Sequence, residues 1–150
     1  MKFFHILAVV AAMPFAALAQ ETAPEDLTVG PYSAADIGNL DQFLWLRRPI
    51  VVFADTPNDP NFRRQMQNIE ADLQILEDRD VVVITDTDPA ARSEVRQRLR
   101  PRGFSLVLMD KDGEVKRRAP AAWSTREITH AIDRFPLRRQ EMLERNPAGR

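Results

Sequence analysis

The residue that this sequence lacks altogether is cysteine, which occurs nowhere in its 150 positions. Without a thiol the chain cannot form a disulfide, perform thiol–disulfide exchange or attack a substrate through a thiolate. Zinc and iron–sulfur sites built from thiolates are excluded for the same reason. The residue inventory therefore rules out every activity that depends on a cysteine thiol.

Glycine is scarce, and neither sign of charge predominates. The five glycines are scattered, and none forms the G-x-G-x-x-G or Walker A pattern that binds nucleotide phosphates. The 21 basic and 22 acidic residues give a formal net charge of -1, so no overall field draws the chain to nucleic acid or to an anionic membrane. Aromatic residues are not interleaved with the arginines, which argues against single-stranded nucleic acid as a partner.

The chain begins with the three-part pattern of a secretory signal peptide. Lys2 is followed by the apolar run 6–13, and the small residues Ala17 and Ala19 mark a cleavage site after Ala19. The alternative is an uncleaved anchor, but the run is shorter than the roughly 20 residues of a spanning helix, and Pro14 interrupts it. We expect cleavage after Ala19 and a mature protein, without membrane insertion, in a bacterial periplasm or outside the cell.

The first half of the mature chain predicts a strand, a helix and a second strand. The apolar run Ile50–Ala54 has no polar alternation, which is typical of a strand buried on both faces of a sheet. Asp59 and Pro60 suit a helix cap and a first helical position, and apolar residues then recur at steps of three and four as far as Leu76. Val81–Thr85 is another buried-type strand, so we expect a right-handed crossover between two parallel strands.

The second half predicts a helix, a hairpin and a last helix. The polar character of the second hairpin strand indicates an edge, and its Asp-Gly turn suits positive φ. Ser124 and Glu127 have the spacing of a capping box at the start of the last helix. The predicted elements are the helix 90–99, the strand 104–109, the turn 110–113, the edge strand 114–119, the helix after Ser124 and a basic helix or tail over 137–145.

These elements predict one α/β domain preceded by a leader and an arm. The order β-α-β-α-β-β-α, with a four-stranded mixed sheet and helices on both faces, is by analogy the thioredoxin-like arrangement. The predicted boundaries are a signal peptide at 1–19, an extended N-terminal arm at 20–38, the thioredoxin-like domain at 39–145 and a tail at 146–150.

Three parts of the chain also resemble a known family. They are Trp45 with Arg48–Ala54, Gly103–Leu108 with the turn Lys111–Gly113, and Phe135–Met142, which is the most specific of them. These residues resemble a bacterial family of secreted domains of unknown function, the prokaryotic branch of the DUDES group. That group is related to domains of vertebrate sushi-repeat and equarin-type extracellular proteins.

The resemblance covers roughly residues 40–143 and agrees with the order of elements. It implies a thioredoxin-like fold and no established activity. A peroxiredoxin-like role has been suggested for the family by analogy of fold. The usual chemistry of that role needs a thiol, which this sequence lacks.

Charged and polar residues follow both predicted parallel strands, and parallel strands open on the same edge of a sheet. We call this group the strand-end rim. Its members are Asp55, Thr56, Asn58, Asp59, Asp86, Asp88, Arg100 and Arg102. One interpretation is a Ca²⁺ or Mg²⁺ site, or a surface that recognises a charged ligand. The other is structural, with Asp59 and Asp88 as helix caps and with Asp55 and Asp86 paired to Arg100 or Arg102.

Several arginines lie near the C-terminus, where Arg138 and Arg139 are adjacent. They suit an acidic partner, such as an envelope polysaccharide or a protein, or they complement the dipole at a helix C-terminus. His130 is the one histidine after the predicted cleavage site, so a site with several histidines is excluded, and we expect it on a helix surface or half-buried. Ser105 follows Gly103-Phe104 but is not followed by x-Gly, so no nucleophile elbow is formed.

No catalytic residue, structural metal or cofactor is assigned from the sequence. We expect an exported, thiol-free binding module that binds a protein or glycan of the cell envelope. Its expected binding residues are Asp55, Thr56, Asp59, Asp86, Arg102, Arg138 and Arg139. The alternative is an enzyme that uses the strand-end rim, either metal-assisted or a degenerate relative of peroxide-handling proteins.

Overall fold

A computed structural model of the chain describes residues 28–147. The predicted signal peptide, its cleavage site after Ala19, the first part of the predicted arm and most of the predicted tail lie outside the described residues. No helix within 28–147 has both the length and the apolar character that a membrane crossing requires.

A five-stranded mixed sheet forms the centre of the domain, in the order β1-β3-β2-β4-β5. Strands β2 and β3 are parallel and adjacent, and Val51 of β2 pairs with Ile84 of β3, so the predicted parallel pair is confirmed. The hairpin β4–β5 joins the antiparallel side of β2, and β5 lies at the edge, as its polar sequence predicts. The strands are β1 (Tyr32–Ser33), β2 (Arg48–Phe53), β3 (Val81–Asp86), β4 (Ser105–Met109) and β5 (Val115–Ala119).

The sheet has five strands instead of the predicted four. The additional strand, β1, belongs to the segment predicted as an extended arm, and Tyr32 pairs with Ile84 in parallel with β3. Just before it, the carbonyl of Val29 accepts a hydrogen bond from the N–H of Val83 at 2.7 Å. A strand of two residues has no hydrophobic period, so the sequence pattern did not reveal it.

Six α-helices and two 3₁₀ helices surround the sheet within the described residues. Their bounds are α1 (Ala34–Ile37), a 3₁₀ helix (Leu40–Phe43), α2 (Pro60–Ala71), α3 (Leu73–Glu77), a second 3₁₀ helix (Pro89–Ala91), α4 (Glu94–Leu99), α5 (Thr125–Ile132) and α6 (Pro136–Arg145). Ser124 and Glu127 form the predicted capping box of α5.

Two predicted helices are interrupted. The amphipathic stripe after Pro60 is divided into α2 and α3 at Asp72, whose φ of −136° is not helical. The predicted helix 90–99 is divided at Arg92, which adopts the left-handed conformation with φ 49°. Ser93 then starts α4 afresh, because its hydroxyl accepts a hydrogen bond from the N–H of Arg96 at 3.0 Å.

The sheet is buried on both faces, as the unbroken apolar strands predict. Ile50 and Val52 of β2 point to a core formed with helices α2, α3 and α5. Val51 and Phe53 point to a second core formed with the first 3₁₀ helix and α4. Because successive residues of a strand face opposite sides, α4 and α5 cover opposite faces of the sheet.

A fully buried arginine connects four separate parts of the chain. Arg48 begins β2, and its side chain has no exposed surface. Its Nε donates to Asp110 Oδ1 at 2.9 Å, its Nη2 to Glu141 Oε1 at 2.8 Å and its Nη1 to the carbonyl of Arg79 at 3.0 Å. These bonds attach the start of β2 to the loop before β3, to the hairpin turn and to helix α6.

Lys111 and Asp80 extend this network toward the surface. The ammonium of Lys111 lies 2.8 Å from Asp80 and 3.0 Å from Glu141. Burial alone raises the pKa of Glu141, but hydrogen bonds from Arg48 and Lys111 outweigh it and lower the pKa to about 2. Glu141 is thus held as a carboxylate between two cations, and it fixes the position of α6.

Replacing Arg48 with methionine should greatly destabilise the fold. The change keeps the apolar part of the side chain but leaves the buried Asp110 carboxylate without its cation, which typically costs about 3–5 kcal/mol. We expect a loss of that size in the free energy of unfolding, measured by urea denaturation. Arg47→Met is the matched control, because its one ion pair, with Glu77, is partly exposed and should cost about 1 kcal/mol or less. Equal losses in the two variants would contradict the role of Arg48.

The low pKa of Glu141 predicts acid sensitivity. A pKa lowered from 4.5 to about 2 stabilises the fold fully above pH 4.5, and this contribution is lost as the pH falls toward 2. It amounts to at most about 3 kcal/mol. In urea denaturation at a series of pH values, the wild type should lose about that much more than Glu141→Gln over this range. Glu144→Gln, on the exposed side of the same helix, should follow the wild type; if it instead behaves like Glu141→Gln, the assignment is wrong.

Candidate functional site

The ends of β2 and β3 meet at one edge of the sheet, as expected for a parallel pair. Phe53 at the end of β2 pairs with Asp86 at the end of β3. The next residue, Ala54, donates its N–H to the carbonyl of Asp86 at 3.0 Å. The loop 55–59 therefore leaves the sheet directly beside the buried carboxylate of Asp86.

Asp86 is neutralised inside the protein by Arg96. The guanidinium of Arg96 donates to Asp86 Oδ1 at 2.8 and 3.1 Å, and the hydroxyl of Ser93 donates to Oδ2. Burial acts to raise the pKa of Asp86, but the hydrogen bonds from Arg96 and Ser93 outweigh it and lower the pKa. Asp86 is only 4% exposed at its side chain, so it forms part of the framework and does not present itself to a ligand.

The partner of Asp86 differs from the expected Arg100 or Arg102. Arg96 also donates to the carbonyl of Ala54 at 3.0 Å and lies 5.3 Å from the centre of the Phe53 ring. The break at Arg92 and the restart of α4 at Ser93 bring Arg96 over the end of β3. The sequence predicted one continuous helix here, and that prediction gave no indication that Arg96 would meet Asp86.

The remaining acidic residues of the strand-end rim act mainly as helix caps. Asp59 accepts hydrogen bonds from the N–H groups at the start of α2, and Asp88 accepts one from Ala90. Asp55 and Thr56 are exposed on the loop. Within residues 28–147 no three histidine or acidic side chains lie close enough together to hold a metal ion. The capping interpretation of Asp59 and Asp88 is confirmed.

Arg102 lies at the same end of the sheet but away from Asp86. With Arg100 it lines a depression of about 260 Å³ beside Phe104, Arg118 and Ala119, over the start of β4 and the end of β5. The residues of the strand-end rim therefore lie in two places, an acidic loop after β2 and a basic depression at the start of β4 and the end of β5.

Arg138 and Arg139 do not form the shared surface that was expected. Arg138 is buried and lies 3.4 Å from a carboxylate oxygen of Asp133 and 3.4 Å from one of Glu141. Arg139 is exposed. Adjacent residues of a helix face different directions, so Arg138 turns inward toward Asp133 and Glu141 while Arg139 faces outward. Arg139 alone of the two is accessible to a partner.

Sequence reasoning missed several arginines that matter to the arrangement. Arg48 is the first residue of β2, just before its apolar run, and nothing local in the sequence indicated which acids it meets. Arg117 and Arg118 belong to the edge strand. The polar character of this strand predicted its edge position, but its positive charge was not used to predict a surface. Together with Trp123 and Arg134 they line a depression of about 460 Å³ between β5 and α5. His130 is exposed beside it, as expected, 3.3 Å from Arg134.

The loop after β2 connects a central strand of the sheet to helix α2. In thioredoxin-like proteins a C-x-x-C motif beside the βαβ unit supplies the redox thiols, which are activated at a helix N-terminus. Here the corresponding loop reads Asp55-Thr56-Pro57-Asn58. It carries no thiol, and the neighbouring Asp86 already has Arg96 as its partner.

Two curated vertebrate proteins are similar to this chain over part of their length. The sushi repeat-containing protein SRPX of Rattus norvegicus is 28% identical over an alignment 138 residues long. The matched region covers 81% of this chain and 29% of the rat protein. The chain thus spans less than a third of the length of this relative. SRPX of Mus musculus gives the same identity and coverage.

The fold is thioredoxin-like. Prx1a of Plasmodium yoelii superposes with a TM-score of 0.50 at 14% identity, covering 74% of this chain and 83% of the other. Chloroplastic thioredoxin z gives a TM-score of 0.49 at 18% identity, over 71% and 92% of the two chains. Residues 39–141 match the family described as a domain of unknown function, DUF4174. Because this match covers more than half of the sequence, the chain belongs to the DUF4174 family.

Proposed function

We propose that this protein is an exported, non-enzymatic binding module that binds a protein or glycan of the cell envelope. The observation that carries the proposal is the loop Asp55–Asn58, which stands without a thiol at the redox position of a thioredoxin-like fold. The buried Asp86 beside it is held by Arg96 and Ser93. A scaffold that keeps its architecture without a reactive group at that position is suited to recognition.

Export rests on residues 1–19 of the sequence. Their basic start, apolar run and small residues before the cut are those of a cleaved signal peptide. The mature chain would then meet its partner outside the cytoplasm.

Binding predicts saturable retention of an envelope component. The mature chain, residues 20–150, would be immobilised and exposed to the solubilised envelope of its own source cells. We expect one or a few components to be retained and to be released by an excess of the same protein in free form. The variants Asp55→Ala and Arg139→Glu report whether the loop after β2 or the exposed side of α6 takes part. Retention that free protein does not compete, or none at all, would refute the proposal.

The second candidate function is an enzyme at the loop after β2. It is favoured by Asp55, an exposed carboxylate at the carboxyl end of a central strand, where open α/β sheets place their ligands. Such an enzyme would be metal-assisted or a degenerate relative of peroxide-handling proteins.

Calorimetry separates the two functions. We expect no binding heat when CaCl₂ or MgCl₂ is titrated into the mature chain, because Asp59 caps α2 and Asp86 is paired with Arg96. Asp55 then lacks the further oxygen ligands that these ions need. Heat that disappears in Asp55→Ala but persists in the matched variant Asp36→Ala would favour the enzyme instead. Turnover of hydrogen peroxide above the rate in buffer would do the same.

A further inference from the structure

The edge strand β5 has one side unoccupied within the described chain. It is the last strand of the sheet and pairs only with β4. An edge strand presents N–H and C=O groups that can pair with another extended chain. The opposite edge, β1, is only two residues long, so β5 is the longer of the two available edges.

Five exposed arginines surround this edge, and we call them the basic strip. They are Arg100, Arg102, Arg117, Arg118 and Arg134. Within residues 28–147 no carboxylate oxygen lies within 4.0 Å of any of their guanidinium nitrogens. The neighbouring Lys116 is different, because Asp112 and Glu114 lie 3.0 and 2.7 Å from its ammonium.

Glu127, an acidic residue that lines the depression beside the basic strip, is already hydrogen-bonded within the chain. Glu127 accepts hydrogen bonds from the N–H and the hydroxyl of Ser124 at 2.7 and 2.8 Å, in the capping box of α5. Its carboxylate is hydrogen-bonded to Ser124 at the start of the helix, and within residues 28–147 neither Arg117 nor Arg134 forms an ion pair with it. The edge therefore has a positive surface that a negatively charged ligand can complement.

Two depressions flank the edge, and Arg118 lines both. One of about 460 Å³ lies against α5 and includes Arg117, Trp123 and Arg134. The other, of about 260 Å³, lies where α4 leads into β4 and includes Arg100 and Arg102. Because α4 and α5 cover opposite faces of the sheet, positive charge is present on both sides of β5.

The register of the hairpin places adjacent arginines on the two faces. Arg117 is opposite Leu108, which belongs to the core under α5, and Arg118 is opposite Val107, which belongs to the core under α4. A strand added to β5 would direct its side chains alternately to these two faces. A polysaccharide has no regular series of N–H and C=O groups to pair with the edge, so the open edge favours a peptide.

We infer that β5 and the basic strip bind an acidic, extended peptide segment, which adds to the sheet as a sixth strand. The inference rests on the proposed binding function and assigns it a surface and a class of partner. Backbone hydrogen bonds to β5 would hold the segment, and Glu or Asp side chains would meet the arginines on either face. Trp123 offers an indole surface beside Arg117 for an apolar residue of the segment.

The test uses a short synthetic peptide in which Glu-Glu and Val-Val pairs alternate, so that each face of the added strand carries Glu. It is long enough to span β5 and is labelled for fluorescence anisotropy. We expect it to bind the mature chain and to bind more weakly as ionic strength rises. The double variant Arg117→Glu/Arg118→Glu should weaken binding by about tenfold or more, because attraction is replaced by repulsion. Arg139→Glu, which reverses an exposed arginine on α6, should bind like the wild type. Circular dichroism and thermal unfolding verify that both variants are folded.

Two further probes test the mode of binding. The same peptide methylated at every backbone nitrogen keeps its charge but loses all of its N–H donors on both edges, and we expect its binding to be lost. An acidic oligosaccharide, such as a fragment of polygalacturonate, should bind much more weakly than the peptide. Equal binding of the methylated peptide or of the oligosaccharide would overturn strand addition. No binding of the Glu-Val peptide would overturn the inference as a whole and leave the arginines as protection of an edge against self-association.

The inference and the proposed function fail in different ways. If the mature chain retains an envelope component and Arg117→Glu/Arg118→Glu retains it equally well, the module binds through another surface and the inference is wrong. If the mature chain retains nothing that free protein competes, the proposed function is wrong whatever the peptide does. Loss of retention in the double variant but not in Arg139→Glu supports both.

Discussion

The rest of the structure depends on the hydrogen bonds made by the buried guanidinium of Arg48. An unpaired charge in a protein interior costs several kcal/mol, so the fold is stable only when partners reach this group. They come from the loop before β3, from Asp110 after β4 and from Glu141 on α6. Strand β2 is the centre of the sheet, and its first residue thereby fixes the hairpin and the C-terminal helix relative to it. The apolar cores on the two faces contain most of the buried side chains. The hydrogen bonds of Arg48 determine how the hairpin and α6 are positioned against β2.

Charged residues in this domain divide into a framework group and a surface group. Arg48, Arg96 and Arg138 are at least partly buried and lie beside carboxylates, and these pairs hold strand ends, loops and α6 in place. The arginines along β5 are exposed and have no carboxylate within reach in residues 28–147. The formal net charge of -1 gives no indication that paired and exposed arginines lie in different parts of the domain. The fold thus pairs the carboxylate at the end of β3 with Arg96 and leaves exposed arginines along the edge strand β5.

A fold by itself does not specify a function, which depends on the residues that its loops carry. In this member of DUF4174 the loop begins with Asp55-Thr56 and is followed by the helix cap Asp59. The parallel pair β2–β3 was predictable because both strands are apolar without alternation. The short strand β1 was not, since its pairing depends on the backbone near Val29. The position of Arg96 was not either, since it follows from the helix break at Arg92.

The sequence by itself determined the absence of thiol chemistry, the main strands, the capping box at Ser124 and the edge position of β5. Each of these follows from residue inventory or from a pattern within a few consecutive residues. Tertiary structure decided which carboxylate meets which guanidinium, because the partners are far apart in the chain: Asp86 and Arg96 are 10 positions apart, and Arg48 and Glu141 are 93. It therefore also decided which arginines remain unpaired, and with them the surface that is available to a partner.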